Sequence, residues 1–228
     1  MQNHATPTRR QVSDTMLLTA FLTFSGGFQD AYTYIVRNHV FANAQTGNIV
    51  LMSTKFLAGD FSGGIRYLFP LFAFASGMAA IDCIFRTYLQ QGDTIVAVSD
   101  IYGGSYDLLT NVYAKWGVNV VFADLTLPEN LDKILAEHKV KLVWLESPSN
   151  PLLRLVDIEL LAQKAKAHGV IVGIDNTFAT PYCQTPLDLG CDIVFHSATK
   201  YLCGHSDVLM GVAVVKDDKL AKSLHNMM

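Results

Sequence analysis

Six short apolar runs, separated by segments with helical periodicity, constrain this chain more than any other feature. Residues 94–98, 118–123, 141–145, 170–174, 192–195 and 211–215 are too short for core helices and rich in β-branched side chains, so they read as strands. Residues 78–90, 106–115, 128–138 and 158–168 carry the 3.6-residue pattern of helices. Asp157 is placed to cap the last of these and Gly169 to end it. Strands alternating with helices predict an α/β fold, a mostly parallel sheet with helices on both faces. The alternation begins near Phe72, and neither a repeat nor a low-complexity tract interrupts it.

Residues 1–71 read differently, as a helical, membrane-like segment. The stretch 17–36 is long enough for a helix to cross ~30 Å of hydrocarbon. Gln29 and Asp30 lie inside it, and a central acid costs about 2.5–3.5 kcal/mol on insertion scales, so Asp30 should face a bundle interior. A second apolar run at 67–81, between Arg66 and Asp82, is short for a span. Both runs also fit buried elements of a soluble protein. Mean hydropathy of +0.27 leans towards membrane or deep burial, and the first third supplies most of it. The polar start, with only Arg9 and Arg10 as basic residues and no small-residue cleavage site after the apolar run, does not read as a secretory signal. A net charge of −3 without a basic stripe argues against a nucleic-acid partner. Cys83, Cys183, Cys191 and Cys203 lack CxxC spacing and read as free buried thiols, with no metal site expected.

Two residues at strand ends carry the chemistry. Asp175 follows the run 170–174, and Lys200 closes the segment His196-Ser197-Ala198-Thr199-Lys200 after the run 192–195. In open α/β sheets ligands bind beyond the carboxyl ends of the strands, so a carboxylate and an amine delivered there can face one molecule. The pair reads as a pyridoxal phosphate site, with lysine forming the Schiff base and aspartate facing the pyridinium nitrogen. Once displaced by a substrate amine, Lys200 would move protons as general acid and base. The alternative role for Asp175 is to cap a helix or turn. Ser76-Gly77-Met78 reads as the opening of a helix whose small residues let backbone N–H groups approach a phosphate. The hydroxyls of Ser197 and Thr199, two positions apart, can reach the same anion or serve the turn. Tyr102 reads by itself as a core aromatic, and Asn150 as a loop amide before Pro151. His196 and His205 read as structural.

The segments FAFASGMAAI, DIYGGSY, LVWLESPSNP, IDNTFATPY and HSATKYLCGHSD resemble, in order and spacing, the trans-sulfuration family of fold-type I enzymes. That family includes cystathionine γ-synthase, cystathionine γ-lyase, methionine γ-lyase and O-acetylhomoserine sulfhydrylase. The resemblance runs from about Phe72 to the end and implies a fold-type I pyridoxal phosphate-dependent transferase large domain over 72–228. It implies Lys200 and Tyr102 as catalytic residues, Tyr102 stacking on the cofactor ring and Asn150 bonding its phenolic oxygen. It places Gly77, Met78, Ser197 and Thr199 at the phosphate and Asp175 at the ring nitrogen. TFSGGFQDAYTYIV and FANAQTGNIVLM instead resemble an uncharacterised bacterial multi-span membrane family of the YoaK type. The chain thus joins two patterns with a seam at 67–76, as a natural fusion, a recombination or an assembly artefact would.

The resemblance implies elimination or replacement at the β or γ carbon of cystathionine, homoserine esters or methionine. It also implies an amino-acid substrate, a homo-oligomer, and a cytoplasmic location for the enzyme part, while the apolar stretch 17–36 is expected to allow membrane contact. Family members supply a tyrosine and an arginine from an N-terminal segment to the neighbouring subunit's phosphate, and a substrate-binding arginine from a C-terminal domain. Neither pattern is present here, so impaired turnover is expected. The rival expectations are a cofactor-binding but inactive fragment and a fusion product of a membrane protein.

Overall fold

The structure, a computed structural model, describes residues 68–205 and 208–227. Helix α1 (Leu68–Tyr88) leads into strand β1 (Thr94–Val98), helix α2 (Gly103–Leu108), a π-helical segment (Leu109–Tyr113) and β2 (Asn119–Ala123). Helix α3 (Glu129–Glu137), β3 (Val140–Glu146), α4 (Ile158–Ala167) and β4 (Ile171–Asp175) continue the alternation. The short α5 (Thr180–Cys183), β5 (Ile193–Ser197), β6 (Gly211–Val215) and α6 (Asp218–Met227) complete it. The strands form one sheet in the order β2-β1-β3-β4-β5-β6. All pairings are parallel except β5 with β6, so the sheet is mixed and mostly parallel, as the alternation predicts.

Every residue of β1 is buried, which a strand can manage only if both faces of its sheet are covered. On one face Trp144, Gly173 and Ile193 stand in register across β3, β4 and β5. Helix α1 lies over this face, with the Phe85 ring edge-on to Trp144 at 5.0 Å. Gly173 is glycine for a packing reason: a Cβ there would lie 2.8 Å from the Trp144 ring. Helix α4 packs against β4 and α3; Asp157 caps it by accepting from Leu160 N at 2.9 Å, and Gly169 ends it at φ +69°, a left-handed value that glycine takes without strain.

Two expected helices differ. The segment expected over 106–115 begins at Gly103 and changes to π-helical winding at Leu109. The helix expected at 78–90 begins at Leu68 and runs without a break through residues 71 and 72. Residues 68–76 contain no glycine, and Pro70 falls in the first turn, where its missing N–H is not needed. Nothing local stops the helix there, so Ser76-Gly77-Met78 lies inside α1 and does not open a helix. The stretch 17–36 and most of segment 1–71 lie outside the described residues. Among the described residues no helix is long and apolar enough to cross a membrane. Of the four free cysteines, only Cys191 is fully buried.

Candidate functional site

Strand register assembles the site. Glu146, the last residue of β3, pairs with Asp175, the last of β4, and Asp175 pairs with Phe195 on β5. Registered residues share a face and side chains two apart repeat it, so Glu146, Asp175, Phe195 and Ser197 all project from the carboxyl end of the α1-covered face. Helix α1 closes over them: a Cβ on Gly77 would stand 3.3 Å from Ser197 Oγ and 3.9 Å from the Phe195 ring. Lys200 follows in the turn after β5, where its N–H donates to Ser197 O at 3.0 Å.

Between these elements opens a cleft. Seven of the residues singled out in the sequence line it: Gly77, Met78, Tyr102, Asn150, Asp175, Ser197 and Lys200. Thr199 does not line it. Its buried hydroxyl accepts from Met210 N at 2.8 Å, which ties the Lys200 turn to the segment entering β6. His196, one position from Ser197 and Phe195 on β5, projects from the opposite face and is buried; burial lowers its pKa.

Two carboxyl groups dominate the electrostatics. Glu146 is only 5% exposed, and its pKa is raised well above the usual carboxylate range, by burial first and by neighbouring Asp175 second. Asp175 is pushed up to about 6, chiefly by burial, although contacts from Thr177 oppose the shift. The Thr177 N–H donates to Asp175 Oδ1 at 2.9 Å, and Thr177 Oγ1 accepts from Ser197 N at 2.9 Å. Tyr102 is raised to about 12 by burial and by both acids. Two buried acids in one cleft favour fewer than two negative charges, and a cation placed against them would let both ionise.

Glu146 also organises the loops. Its Oε2 accepts from Tyr102 N and its Oε1 from Asn150 N, each at 2.7 Å. Buried Gln184 donates to Ser147 O at 2.9 Å and to Asn176 Oδ1 at 2.7 Å, which joins the loops after β3 and β4. Neither residue stands out in the sequence. The one available signal for Glu146 is an acid that ends an apolar strand, Val140–Glu146. Gln184 gives none, because only the fold brings it to Ser147. Gly77 and Met78 reach the cleft from within α1, where their N–H groups belong to the i→i−4 ladder, and not from a helix N-terminus.

Comparison with known proteins matches residues 70–228 to the profile of the Cys/Met metabolism PLP-dependent enzyme family. Residues 18–112 match a second family described as a protein of unknown function, DUF1275. The chain is 46% identical over 156 residues to cystathionine beta-lyase MetC of Bacillus subtilis, covering 68% of this chain and 40% of that protein. It is 53% identical over 155 residues to a cystathionine beta-lyase of Coxiella burnetii, covering 67% and 40%. Its fold is similar to that of cystathionine gamma synthase from Xanthomonas oryzae pv. oryzae in complex with aminoacrylate and cysteine. That match has a TM-score of 0.64 and 44% identity over 67% of this chain and 39% of that one. The chain spans about 40% of the length of the curated relatives it matches.

Proposed function

The chain belongs to the Cys/Met metabolism PLP-dependent enzyme family, and on that premise we propose that residues 72–228 form a pyridoxal phosphate site of sulfur amino-acid metabolism. The reaction is elimination or replacement at the β or γ carbon of cystathionine, a homoserine ester or methionine. The observation that carries this reading is the cleft itself, in which Lys200, a buried acid pair and Ser197 meet at the carboxyl ends of β3, β4 and β5.

The residues present fit this cofactor. A ring nitrogen that carries a proton suits the cleft's two buried carboxyls, whose ionisation is suppressed without a cation. Gly77 approaches Ser197 so closely that a Cβ there would stand 3.3 Å from the Ser197 hydroxyl, a close main-chain approach that suits an anion cradle. When bound, pyridoxal phosphate supplies an electron sink for the substrate carbanion. The protein's share is placement. Lys200 would provide the amine that anchors the cofactor and would then carry protons, Asp175 would face the ring nitrogen, and Tyr102, which lines the cleft, would pack against the ring. Asn150, which lines the cleft, would donate to the phenolic oxygen. Gly77, Met78, Ser197 and Thr199 serve the phosphate, Thr199 only if its hydroxyl leaves Met210. A second reading, a weakly anchored cofactor with little turnover, is favoured by α1, whose ladder already engages the N–H groups of Gly77 and Met78.

The segment before α1 we assign to a unit that contacts a membrane through 17–36; the support is the length and apolarity of that stretch. Assembly into a homo-oligomer is supported by Leu202, Val208 and Met210, apolar side chains exposed near the Lys200 turn. The enzyme part we place in the cytoplasm, where free thiols are stable.

The experiment mixes the purified full chain with pyridoxal phosphate, fixes the cofactor with borohydride and maps the labelled peptide. Release of ammonia and α-keto acid from cystathionine, methionine and O-acetylhomoserine is measured alongside, with Lys200→Ala as the blank. A single label on Lys200 with turnover above the blank supports the first reading, and a label without turnover supports the second. A label spread over many lysines would sink both.

A further inference from the structure

β3 ends on a carboxylate, Glu146, whose bonds to the main chain play no part in the cofactor reading above. Glu146 is buried, and burying a carboxylate is unfavourable unless it is fully bonded. It is bonded by two main-chain N–H groups at 2.7 Å, one from the loop after β1 and one from the loop after β3. Those N–H groups belong to Tyr102 and Asn150, the two residues placed against the ring. Once a cation in the cleft lets Glu146 ionise, bonds of this kind become about twice as strong as neutral ones. Glu146 also lies one strand across from Asp175 in register, so its charge adds to the field at the same point of the cleft.

We infer that Glu146 is a positioning residue of the cofactor site: by holding the main chain at Tyr102 and Asn150 it sets both side chains against the ring, and beside Asp175 it favours a cationic ring nitrogen. The inference rests on the pyridoxal phosphate reading. Glutamine at this position is a sharp probe. Its single oxygen can accept from one N–H, while its NH₂ group would face the other donor without bonding it.

The test titrates pyridoxal phosphate into the full chain and into Glu146→Gln, reading affinity by absorbance and ring placement by visible circular dichroism. The thermal midpoint of the cofactor-free proteins serves as the folding control. If the variant's loops shift, affinity falls by up to roughly tenfold to hundredfold, the full worth of one or two charge-assisted bonds, with a diminished dichroic band in a folded variant. Parental affinity and parental dichroism in folded Glu146→Gln overturn the inference. So does a variant that only melts earlier while its bound cofactor keeps the parental dichroism, since that is a structural role alone. If Glu146→Gln does not fold, amide exchange in the parent decides. Tyr102 and Asn150 N–H groups exchanging far more slowly than free loop amides support the grip, and exchange at the free rate overturns it. A parent that takes up no pyridoxal phosphate marks failure of the functional reading itself, whereas failure of this inference alone leaves parental uptake intact.

Discussion

Asp175→Asn should make the cofactor-free protein more stable at neutral pH and less able to hold its cofactor. The carboxyl of Asp175 is moved from 3.8 to about 6, chiefly by burial. Its folded pKa is raised, so the folded state binds more protons than the unfolded one and stability falls as pH rises. Whatever this carboxyl contributes is fully present below about pH 4 and is lost as pH climbs through about 6. At roughly 1.4 kcal/mol per decade the loss amounts to about 3 kcal/mol. Asparagine cannot ionise, and its side-chain oxygen still accepts from Thr177 N. The substitution also removes the neighbour that makes Glu146 harder to ionise. The variant should therefore match the parent near pH 4 and exceed it by about 2–3 kcal/mol near pH 7.5. The assay is urea denaturation of both cofactor-free proteins at several pH values, followed by tryptophan fluorescence from buried Trp144. With pyridoxal phosphate present the order should invert, because a neutral amide does not hold a protonated ring nitrogen. A variant less stable than the parent near neutral pH, or a difference that does not change with pH, would refute the reasoning.

Gly173→Ala places a methyl 2.8 Å from the Trp144 ring, which Phe85 contacts edge-on. Overpacking at about 1–3 kcal/mol exceeds the ~0.4–1 kcal/mol gained from a stiffer unfolded chain, so denaturation should show a net loss, and parental stability would contradict the packing account. Asp157→Ala removes the cap on Leu160 N and should lower stability by about 1 kcal/mol, with cofactor affinity unchanged in a spectroscopic titration. If residues 17–36 enter a membrane, the full chain expressed in cells should stay with the membrane fraction after carbonate washing, and Asp30→Leu should increase that fraction; release of both proteins by carbonate would return the stretch to a soluble role.

The sheet was legible because β1, β3 and β4 are covered on both faces and write themselves as near-unbroken apolar runs, with edges misplaced by no more than a residue or two. The strand ends were legible for the same reason, which is how Asp175 and Lys200 stood out. The start of α1 was not. Ser76 and Gly77 look like a helix opening, but the preceding Phe-Ala-rich residues are equally able to be helical, and no local signal stops them. The winding change at Leu109 likewise has no signature in a periodic segment. Glu146 and Gln184 were missed because their partners, Tyr102 N, Asn150 N and Ser147 O, are main-chain groups on other loops. A sequence shows side-chain types and cannot show which peptide groups the fold leaves in need of an acceptor.

That Glu146 grips peptide N–H groups, not side chains, has an evolutionary reach. Any residue except proline offers the same N–H, so positions 102 and 150 can exchange their side chains without loosening the loops that carry them. The side chains that line the cleft can change by single substitutions while the frame that holds their loops stays fixed. Position 146 has no such freedom, because only a carboxylate offers two charged oxygens to two donors on separate loops.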